Sequence, residues 1–313
     1  YRRQRQMCIR DRHVHDYTHH DLLERYNQLA AHYRFLLQDG QFLTESEADI
    51  LVFLKLMAMG GIDEIRQTEF RRTENWELQF NHIRSLRPPR ISQNIVEGIK
   101  LDFNPDEFHF NKPFLEKESF WSGRLLNKET ALFYNKFPFA CFHSLLVPEK
   151  EKCLPQFLTY EYHQYIWEAT NLLSETLPGL CTTYNSYGAF SSINHLHFHL
   201  LIKDHPLPIT KPIWTHNGGH KEYPIDCHVI KSMQESWECI DKLHQQQISY
   251  NLVYLPGMVY CVPRKHQGTY ANAPWSCGFA WYEVSGGFTT FNHNQFKELQ
   301  CEDLEKELSL LKL

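Results

Sequence analysis

The chain has 313 residues, enough for one large or two ordinary domains, and 42% of them are hydrophobic, which supports a buried core. Its formal net charge of −5 is mild, so the composition disfavours a polybasic surface for nucleic acid or for anionic membranes. No apolar run is long enough to span a bilayer, and we expect neither a membrane partner nor a secretory leader.

Nine cysteines are scattered along the chain without a Cys-x-x-Cys pair. Free thiols in this pattern are typical of a reducing compartment, so we expect a cytoplasmic protein. The same spacing disfavours a zinc site built from cysteines.

The amino-terminal part is predicted to be mainly helical. Residues 1–12 are rich in arginine; a basic arm is one interpretation, but part of this stretch resembles translated adapter sequence, so we expect a non-native leader. Apolar residues recur at helical spacing over residues 21–36, and a second helix with a capping-box sequence is predicted over residues 44–59. We assign a helical region to residues 13–100, in which residues 64–90 are interpreted as a linker-like approach to the next domain.

The middle of the chain alternates between strand and helix patterns. Short strands are predicted at residues 108–110, 131–134 and 143–148, each a compact run of apolar or aromatic residues. A turn that begins with Asn135 and ends in a proline joins the last two. A helix is predicted over residues 160–177, because apolar residues recur there at helical spacing until a Pro-Gly pair.

The most informative stretch is residues 185–202, which ends in three alternate histidines. Alternation over residues 193–202 predicts a strand on which the histidines share one face and the intervening apolar residues face the core. Small residues before the strand can expose backbone N–H groups and hydroxyls, the donors that a phosphate needs. The histidines are His195, His197 and His199, the apolar residues are Leu196, Phe198 and Leu200, and the small residues include Gly188, Ser191 and Ser192.

The histidine run has two simpler interpretations. Because 19 of the 313 residues are histidine, the run can arise by chance. Alternate histidines on a strand can also bind zinc as neutral imidazoles. The donor-rich loop before the run suits an anion better than a cation, so phosphate chemistry is favoured.

The last third gives a weaker signal. Residues 204–224 form a loop rich in proline and glycine, and residues 226–247 are predicted to be helical. Residues 250–254 and 258–264 predict two strands of a hairpin around a Pro-Gly turn.

The residues around the histidine run resemble a known superfamily. The run Asn-x-x-Gly-x-x-Ser-Ser-x-x-His-Leu-His-Phe-His that begins at Asn185 resembles the active-site strand of the histidine triad superfamily. The longer match over residues 184–197 is similar to the GDP-hexose phosphorylases, relatives of galactose-1-phosphate uridylyltransferase and diadenosine tetraphosphate phosphorylase. The resemblance implies an α+β fold with a mainly antiparallel sheet and flanking helices. It also implies a duplicated histidine-triad-like unit, with a catalytic half at residues 101–217 and a degenerate half at residues 218–313.

The resemblance also implies roles for individual residues. His197 would be the nucleophile that forms a covalent nucleotidyl intermediate, while His195 and His199 would orient it and contact the same phosphate. Asn135 matches a position that hydrogen-bonds the ribose hydroxyls, although an asparagine selected only for its turn is the alternative. The predicted nucleotide- and phosphate-binding residues are Asn135, Asn185, Ser186, Gly188, Ser191, Ser192 and Asn194.

The sequence therefore predicts a nucleotidyltransferase of the phosphorylase type that acts on a GDP-hexose or a dinucleoside polyphosphate, with inorganic phosphate as the acceptor. His199 stands where many transferases of this branch have glutamine, so a hydrolase that uses water is the first alternative. A histidine-bound zinc protein and an inactive nucleotide-binding module are the others. We expect no cofactor, no metal and no nucleic-acid partner, and the sequence does not predict an oligomeric state.

Overall fold

The computed structural model describes residues 18–38, 47–86, 96, 98–276 and 278–313. Its helices are α1 (His19–Gln38), α2 (Glu47–Ala58), α3 (Tyr160–Ser174), α4 (Met233–Gln245), α5 (Trp281–Val284), α6 (His293–Glu298) and α7 (Cys301–Ser309). Its strands are β1 (Glu69–Thr73), β2 (Trp76–Phe80), β3 (Ser119–Leu125), β4 (Lys128–Tyr134), β5 (Cys141–Pro148), β6 (Leu180–Asn185), β7 (Phe198–Ile202), β8 (His228–Ile230), β9 (Ser249–Leu255), β10 (Met258–Arg264) and β11 (Gly287–Thr290).

Two sheets organise these strands. The large sheet has eight strands in the order β3-β4-β5-β7-β6-β9-β10-β8, and every neighbouring pair in it is antiparallel. The small sheet has the order β1-β2-β11, in which β11 runs parallel to β2. The large antiparallel sheet with flanking helices is the architecture that the sequence predicts.

Different elements cover the two faces of the large sheet. Helices α3 and α4 pack on one face, where Ile166 and Ile240 join the strand residues Phe198 and Leu252 in one hydrophobic core. The small sheet and helices α5 and α7 cover the other face, where their apolar side chains share a core with Leu201. Each face of the sheet is therefore buried.

The pleat of β7 decides which residues meet the helices. Phe198 and Leu200 belong to the core under α3 and α4, together with Leu196 just before the strand, as predicted. Since side chains alternate along a strand, His199 lies on the opposite face with Leu201. Truncating Phe198 to alanine would cost about 3–5 kcal/mol of unfolding free energy, because its ring is fully buried.

The interpretation of residues 64–90 as linker-like was wrong. The stretch contains the β1–β2 hairpin, and all five residues of β2 are buried. Glu77 explains how a charge is tolerated there: it pairs with Lys203 at 2.5 Å and accepts a hydrogen bond from Tyr282 at 2.6 Å. Because β2 pairs with β11, the first and last of the predicted regions share one sheet, and the boundaries at residues 100 and 217 stay predictions.

Other boundaries also differ from the predictions. Residues 108–110 form no strand, whereas β3 was missed, and the helix predicted over residues 226–247 is a short strand β8 followed by α4. The strand predicted over residues 193–202 begins only at Phe198. Strands β4 and β5, helix α3 and the β9–β10 hairpin were predicted correctly, whereas no strand was predicted where β6 lies.

Helices α1 and α2 were also predicted correctly from their apolar spacing. The leader predicted at residues 1–12, and the start of the capping box at Thr44, lie outside the described residues. None of the described helices is both long and apolar enough to cross a membrane.

Candidate active site

A cleft lies where β6 ends and β7 begins. Both apolar and polar side chains line it. The apolar lining includes Phe108, Phe110, Leu115, Phe133, Leu145 and Ile193, and the polar lining includes Asn135, Asn185, Ser192, His197 and His199.

His195 is buried beside the cleft in the irregular segment that precedes β7. Its Nδ1 accepts a hydrogen bond from the backbone N–H of Phe110 at 3.1 Å, and its ring lies 5.2 Å from the ring of Phe103. Burial lowers the pKa of His195 to about 4, and the charge of neighbouring His197 acts in the same direction. His195 is therefore neutral near pH 7 and anchors the 103–110 segment.

His197 lines the cleft, and its proton position follows from one contact. Its Nδ1 lies 2.8 Å from the backbone carbonyl oxygen of His195. Because a carbonyl only accepts hydrogen bonds, Nδ1 carries the proton of the neutral ring and Nε2 carries the lone pair. This is the tautomer that a nucleophilic imidazole requires.

Gln156 holds the backbone of this segment and was missed by the sequence reasoning. Its Oε1 accepts from the N–H of His197 at 2.9 Å, while its Nε2 donates to the carbonyl of Asn185 at 2.9 Å and to that of His197 at 3.2 Å. One buried side chain thus replaces the strand pairing that residue 197 lacks. A polar residue between Pro155 and Phe157 in an otherwise apolar stretch was the available signal.

His199 is paired with His143, a second residue that the sequence reasoning did not select. The Nε2 of His143 lies 2.9 Å from the Nδ1 of His199. A register shift in β5 between Cys141 and Ser144, with Phe142 at a φ of 51°, directs the His143 side chain to this position. The bulge brings together two imidazoles that simple alternation would not pair.

Asn185, at the end of β6, connects His199 to the second half of the sheet. Its Oδ1 accepts from the side chain of Asn251 at 2.7 Å and from the backbone N–H of Trp281 at 2.9 Å. Its Nδ2 faces the Nε2 of His199 at 3.4 Å. The structure thus brings this predicted residue to the histidines, where it holds the ring of His199.

Asn135 also lines the cleft, but both ends of its amide have partners in the protein. Its Oδ1 accepts from the N–H of Phe137 at 3.0 Å, and its Nδ2 lies 3.1 Å from the Nε2 of His143. The first contact is the one that a turn-forming asparagine makes. The alternative of a turn residue therefore has direct support, and the ribose contact stays a prediction.

The predicted serines divide into two groups. Ser192 lines the cleft. The hydroxyl of Ser186 accepts from the N–H of Tyr250 at 2.9 Å, and that of Ser191 donates to the carbonyl of Ile193 at 3.2 Å. Ser186 and Ser191 are buried and hold the loop in shape.

Gly188 and Asn194 also maintain the loop. Gly188 has a φ of +84°, and a Cβ there would lie 2.3 Å from the Oγ of Ser249, so only glycine fits. Asn194 accepts from the N–H of Gln156 at 3.0 Å and donates to the carbonyl of Asp102 at 2.8 Å. Phosphate contacts from these two residues stay predictions.

Two cationic side chains line the cleft. Arg84 donates to the carbonyl of Phe137 at 2.9 Å and lies over the ring of Phe139 at 4.6 Å, while Lys136 pairs with Glu118 at 2.8 Å. Arg84 was missed because its segment was interpreted as linker-like. Among the described residues, no group of three His, Cys, Asp or Glu side chains is placed to hold a metal ion.

Comparison with known proteins gives the following matches. Residues 73–201 match the family model described as GDPGP1-like, N-terminal domain. The chain is 33% identical over 148 residues to GDP-D-glucose phosphorylase 1 of Danio rerio, a match that covers 47% of this chain and 42% of that protein. It is 31% identical over 144 residues to GDP-L-galactose phosphorylase 1 of Arabidopsis thaliana, covering 41% of this chain and 32% of that protein. The chain thus spans less than half the length of these curated relatives.

Among solved structures, the fold is similar to that of yeast Ap4A phosphorylase Apa2. The structure of that enzyme in complex with Ap4A matches with a TM-score of 0.55 at 17% identity, covering 87% of this chain and 100% of the other. The same enzyme in complex with AMP gives a TM-score of 0.54 over 87% of this chain and 98% of the other. At this identity the likeness shows a shared fold.

The predicted α+β fold with a large antiparallel sheet and flanking helices is therefore confirmed, and the similarity of residues 73–201 to the GDPGP1-like N-terminal domain agrees with the predicted resemblance to the GDP-hexose phosphorylases.

Proposed function

We propose that this protein is a nucleotidyltransferase of the phosphorylase type that acts on a GDP-hexose through a covalent intermediate on His197. The observation that carries the proposal is the contact between the Nδ1 of His197 and the carbonyl of His195, which places the lone pair of a cleft-lining imidazole on Nε2. The names of the matched relatives, GDP-D-glucose phosphorylase 1 and GDP-L-galactose phosphorylase 1, support the choice of substrate. The aromatic lining of the cleft supplies a surface for a base.

In the first step, the Nε2 of His197 attacks the phosphorus attached to the nucleoside. A P–N bond forms while the P–O bond to the distal phosphate breaks, and that bond's electron pair leaves on the oxygen of hexose 1-phosphate. The ring now carries a positive charge, and its Nδ1–H still donates to the carbonyl of His195, which stabilises that charge. Two easier steps replace one difficult displacement, so we expect ping-pong kinetics.

In the second step, an oxygen of inorganic phosphate attacks the same phosphorus. The P–N bond breaks, its electron pair returns to Nε2, and GDP is released. Phosphate is already an oxyanion at neutral pH, so this attack needs no general base. Arg84 and Lys136, which line the cleft, would attract both the substrate and the acceptor anion.

A reducing, cytoplasmic location is part of the proposal. Its support is the free state of the described cysteines Cys153, Cys181, Cys227, Cys239, Cys261 and Cys301. Nucleic acid is not proposed as a partner.

Incubation with a GDP-hexose labelled in the nucleoside-linked phosphate tests the proposal. We expect acid-labile label on the protein, lost in His197→Ala, and release of GDP that depends on added phosphate. Release of GMP at the same rate without phosphate would establish a hydrolase that uses water. Copurified zinc that is lost in His195→Ala would indicate a zinc protein, and nucleotide binding without label or turnover would indicate an inactive binding module.

A further inference from the structure

A chain of buried polar side chains runs from the second half of the sheet to the catalytic histidines. The guanidinium of Arg264 donates to the Oδ1 of Asn251 at 3.3 Å, and the Nδ2 of Asn251 donates to the Oδ1 of Asn185 at 2.7 Å. The Nδ2 of Asn185 faces the Nε2 of His199, whose Nδ1 faces the Nε2 of His143. Each link joins one ring or amide to the next.

The direction of these hydrogen bonds is fixed at the Arg264 end, because a guanidinium has donors and no acceptor. Asn251 must therefore turn its oxygen to Arg264 and its NH₂ to Asn185, and Asn185 must turn its oxygen to Asn251. The NH₂ of Asn185 is then left for His199, so the Nε2 of His199 must accept. The proton of the neutral His199 ring consequently lies on Nδ1 and is donated to His143.

Two backbone groups enforce the same direction. The N–H of Trp281 donates to the Oδ1 of Asn185 at 2.9 Å, which keeps that oxygen away from His199. At the far end, the N–H of Phe137 occupies the Oδ1 of Asn135, so the Nδ2 of Asn135 is the group that faces the Nε2 of His143 at 3.1 Å. The Nε2 of His143 therefore accepts from two donors, the Nδ2 of Asn135 and the Nδ1 of His199.

We propose that Arg264 is a positioning residue that, through Asn251 and Asn185, holds His199 as the neutral tautomer protonated on Nδ1. The tautomer follows from the hydrogen bonds alone. Only its consequence for catalysis rests on the proposed function, in which His199 faces the transferred phosphate. Arg264 is fully buried, and its guanidinium also donates to the carbonyl of Phe279 and the hydroxyl of Tyr270. Within the described part of the chain no carboxylate lies within ion-pair distance of it.

Burying a cation without a carboxylate partner costs folding free energy, so the burial of Arg264 needs a physical explanation. The direction of the two amides is held at three points, because Arg264 and the N–H of Trp281 can only donate and the carbonyl of Ala189 can only accept, here from the Nδ2 of Asn251 at 3.0 Å. A glutamine at residue 264 would present either an oxygen or an NH₂ to Asn251, so only the Ala189 carbonyl and the Trp281 N–H would still oppose the reversed direction. A lysine would keep the donors-only property of Arg264.

Protonation of His199 on Nε2 would place a donor against the NH₂ of Asn185, so the chain opposes an imidazolium at this position. The ionisable rings that face His199 are His143 from β5 and His197 from its own segment. Trp281 of α5 packs against His199, and the same helix carries Glu283. The charged residues Arg84, Lys136 and Glu118 line the same cleft. His199 acts here as a neutral ring of fixed orientation, 5.6 Å from the ring of His197.

The substitution Asn251→Asp tests the proposal because it changes one NH₂ into an oxygen at constant shape. The new carboxylate repels the Oδ1 of Asn185 and can accept a charge-assisted hydrogen bond from the NH₂ of Asn185. This bond favours turning the Asn185 amide at the cost of its contact with the N–H of Trp281, and the turn brings the Asn185 oxygen to the Nε2 of His199. We expect a proton on the Nε2 of His199 in the variant and on Nδ1 in the wild type. Long-range ¹H–¹⁵N spectra of the full chain, labelled at the histidine ring nitrogens, distinguish the two, with the His199 signal assigned from its loss in His199→Gln.

The matched control is Asn171→Asp, which adds the same charge on α3, where the Oδ1 of Asn171 accepts from the N–H of Gly257 and can continue to do so. We expect its His199 signal to match the wild type. A folded Asn251→Asp protein in which His199 keeps its proton on Nδ1 alone would overturn the proposal. These spectra need no turnover, so the result is independent of whether the chain is a phosphorylase.

If Asn251→Asp does not fold, the pair Arg264→Lys and Arg264→Gln decides the matter. We expect the lysine variant to keep the wild-type tautomer and the glutamine variant to show signals of both tautomers. We also expect the acid limb of the kcat/KM pH profile to move to higher pH in the glutamine variant and not in the lysine variant. Identical His199 spectra in both variants would show that Arg264 only fills space.

Discussion

The two halves of the large sheet contribute different kinds of residue to the cleft. The half built from β3 to β7 supplies the imidazoles that face the cleft, His197 and His199. The half built from β8 to β10, with α5, supplies Asn251, Arg264 and the backbone N–H of Trp281. These groups are connected to His199 through Asn185. The second half carries no run of alternate histidines, and the role that we propose for it is to position those of the first half.

This difference explains why the segment with the proposed nucleophile need not be regular. His195 and His197 precede β7 and have no strand partner, so their positions depend on side chains such as Gln156. The second half is regular where it meets the first, since β9 pairs with β6 over four residue pairs from Thr182 to Asn185. A regular neighbouring strand thus holds the irregular segment that carries the proposed nucleophile.

The largest expected effect lies in the first half. His197→Ala removes the proposed nucleophile, and we expect kcat to fall by roughly 10⁴-fold or more. The fold should survive, because the ring lines a cleft and the backbone contacts to Gln156 remain. Steady-state turnover and thermal unfolding measure the two quantities. His205→Ala, at an exposed histidine outside the cleft, is the control, and wild-type turnover in His197→Ala would remove the proposed mechanism.

A smaller effect is expected from the residue that holds the irregular segment. Gln156→Met keeps the size of the side chain but leaves three buried backbone groups without their partner, at a cost of about 1–3 kcal/mol in unfolding free energy. Displacement of His197 should also lower kcat by roughly 10- to 100-fold. Urea unfolding and steady-state kinetics measure these changes.

Gln267→Met is the matched control for this variant. Gln267 is equally buried and accepts from the backbone N–H of Phe190 at 2.8 Å, on the same loop but away from His197. We expect a similar loss of stability and a much smaller loss of kcat. Equal losses of kcat in the two variants would show that Gln156 has no special relation to His197.

Asn135 belongs to the first half, and its substitution tests whether the cleft binds the ribose of a nucleotide. If Asn135 reads the ribose, Asn135→Ala should lower kcat/KM by roughly 5- to 150-fold for ribonucleotides and much less for 2′-deoxy analogues. Asn135→Asp separates this role from the turn, because it keeps the oxygen that accepts from the N–H of Phe137. Equal losses for both sugars in the alanine variant, with full activity in the aspartate variant, would assign Asn135 to the turn.

The sequence predicted the regular elements of both halves better than the contacts between them. Strands β4, β5, β9 and β10 were predictable because their apolar runs are bounded by proline, glycine or asparagine. Strand β2 was missed because its buried glutamate is paired with Lys203, 126 residues away, and such a pairing leaves no local pattern.

The candidate site shows the same limit. The histidine run and Asn185 were found because they form one local motif. His143 was not, because the bulge at Phe142 reverses the alternation from which its direction would be predicted. Arg264 and Asn251 lie in an ordinary hairpin sequence, and their proposed roles depend on the hydrogen bond between Asn251 and Asn185, which lies 66 residues earlier in the chain.

The smallest effect concerns the junction of the halves, at His163 on α3. Its ring is buried between the hydroxyl of Tyr254, at 2.8 Å, and that of Ser236, at 2.8 Å, so it joins the first half to β9 and α4. Burial lowers the pKa of His163 to about 4 from the ordinary value of 6.5. Between these two pH values the unfolded chain binds more protons at this residue than the folded chain does, so its contribution to stability is full above pH 6.5 and is lost as the pH falls toward 4. One such group contributes a slope of at most about 1.4 kcal/mol per pH unit.

We therefore expect the difference in unfolding free energy between the wild type and His163→Gln to shrink as the pH is lowered from 7 to 5 in urea titrations, with His205→Gln as the control. A difference that stays constant with pH would contradict a neutral His163 at the junction.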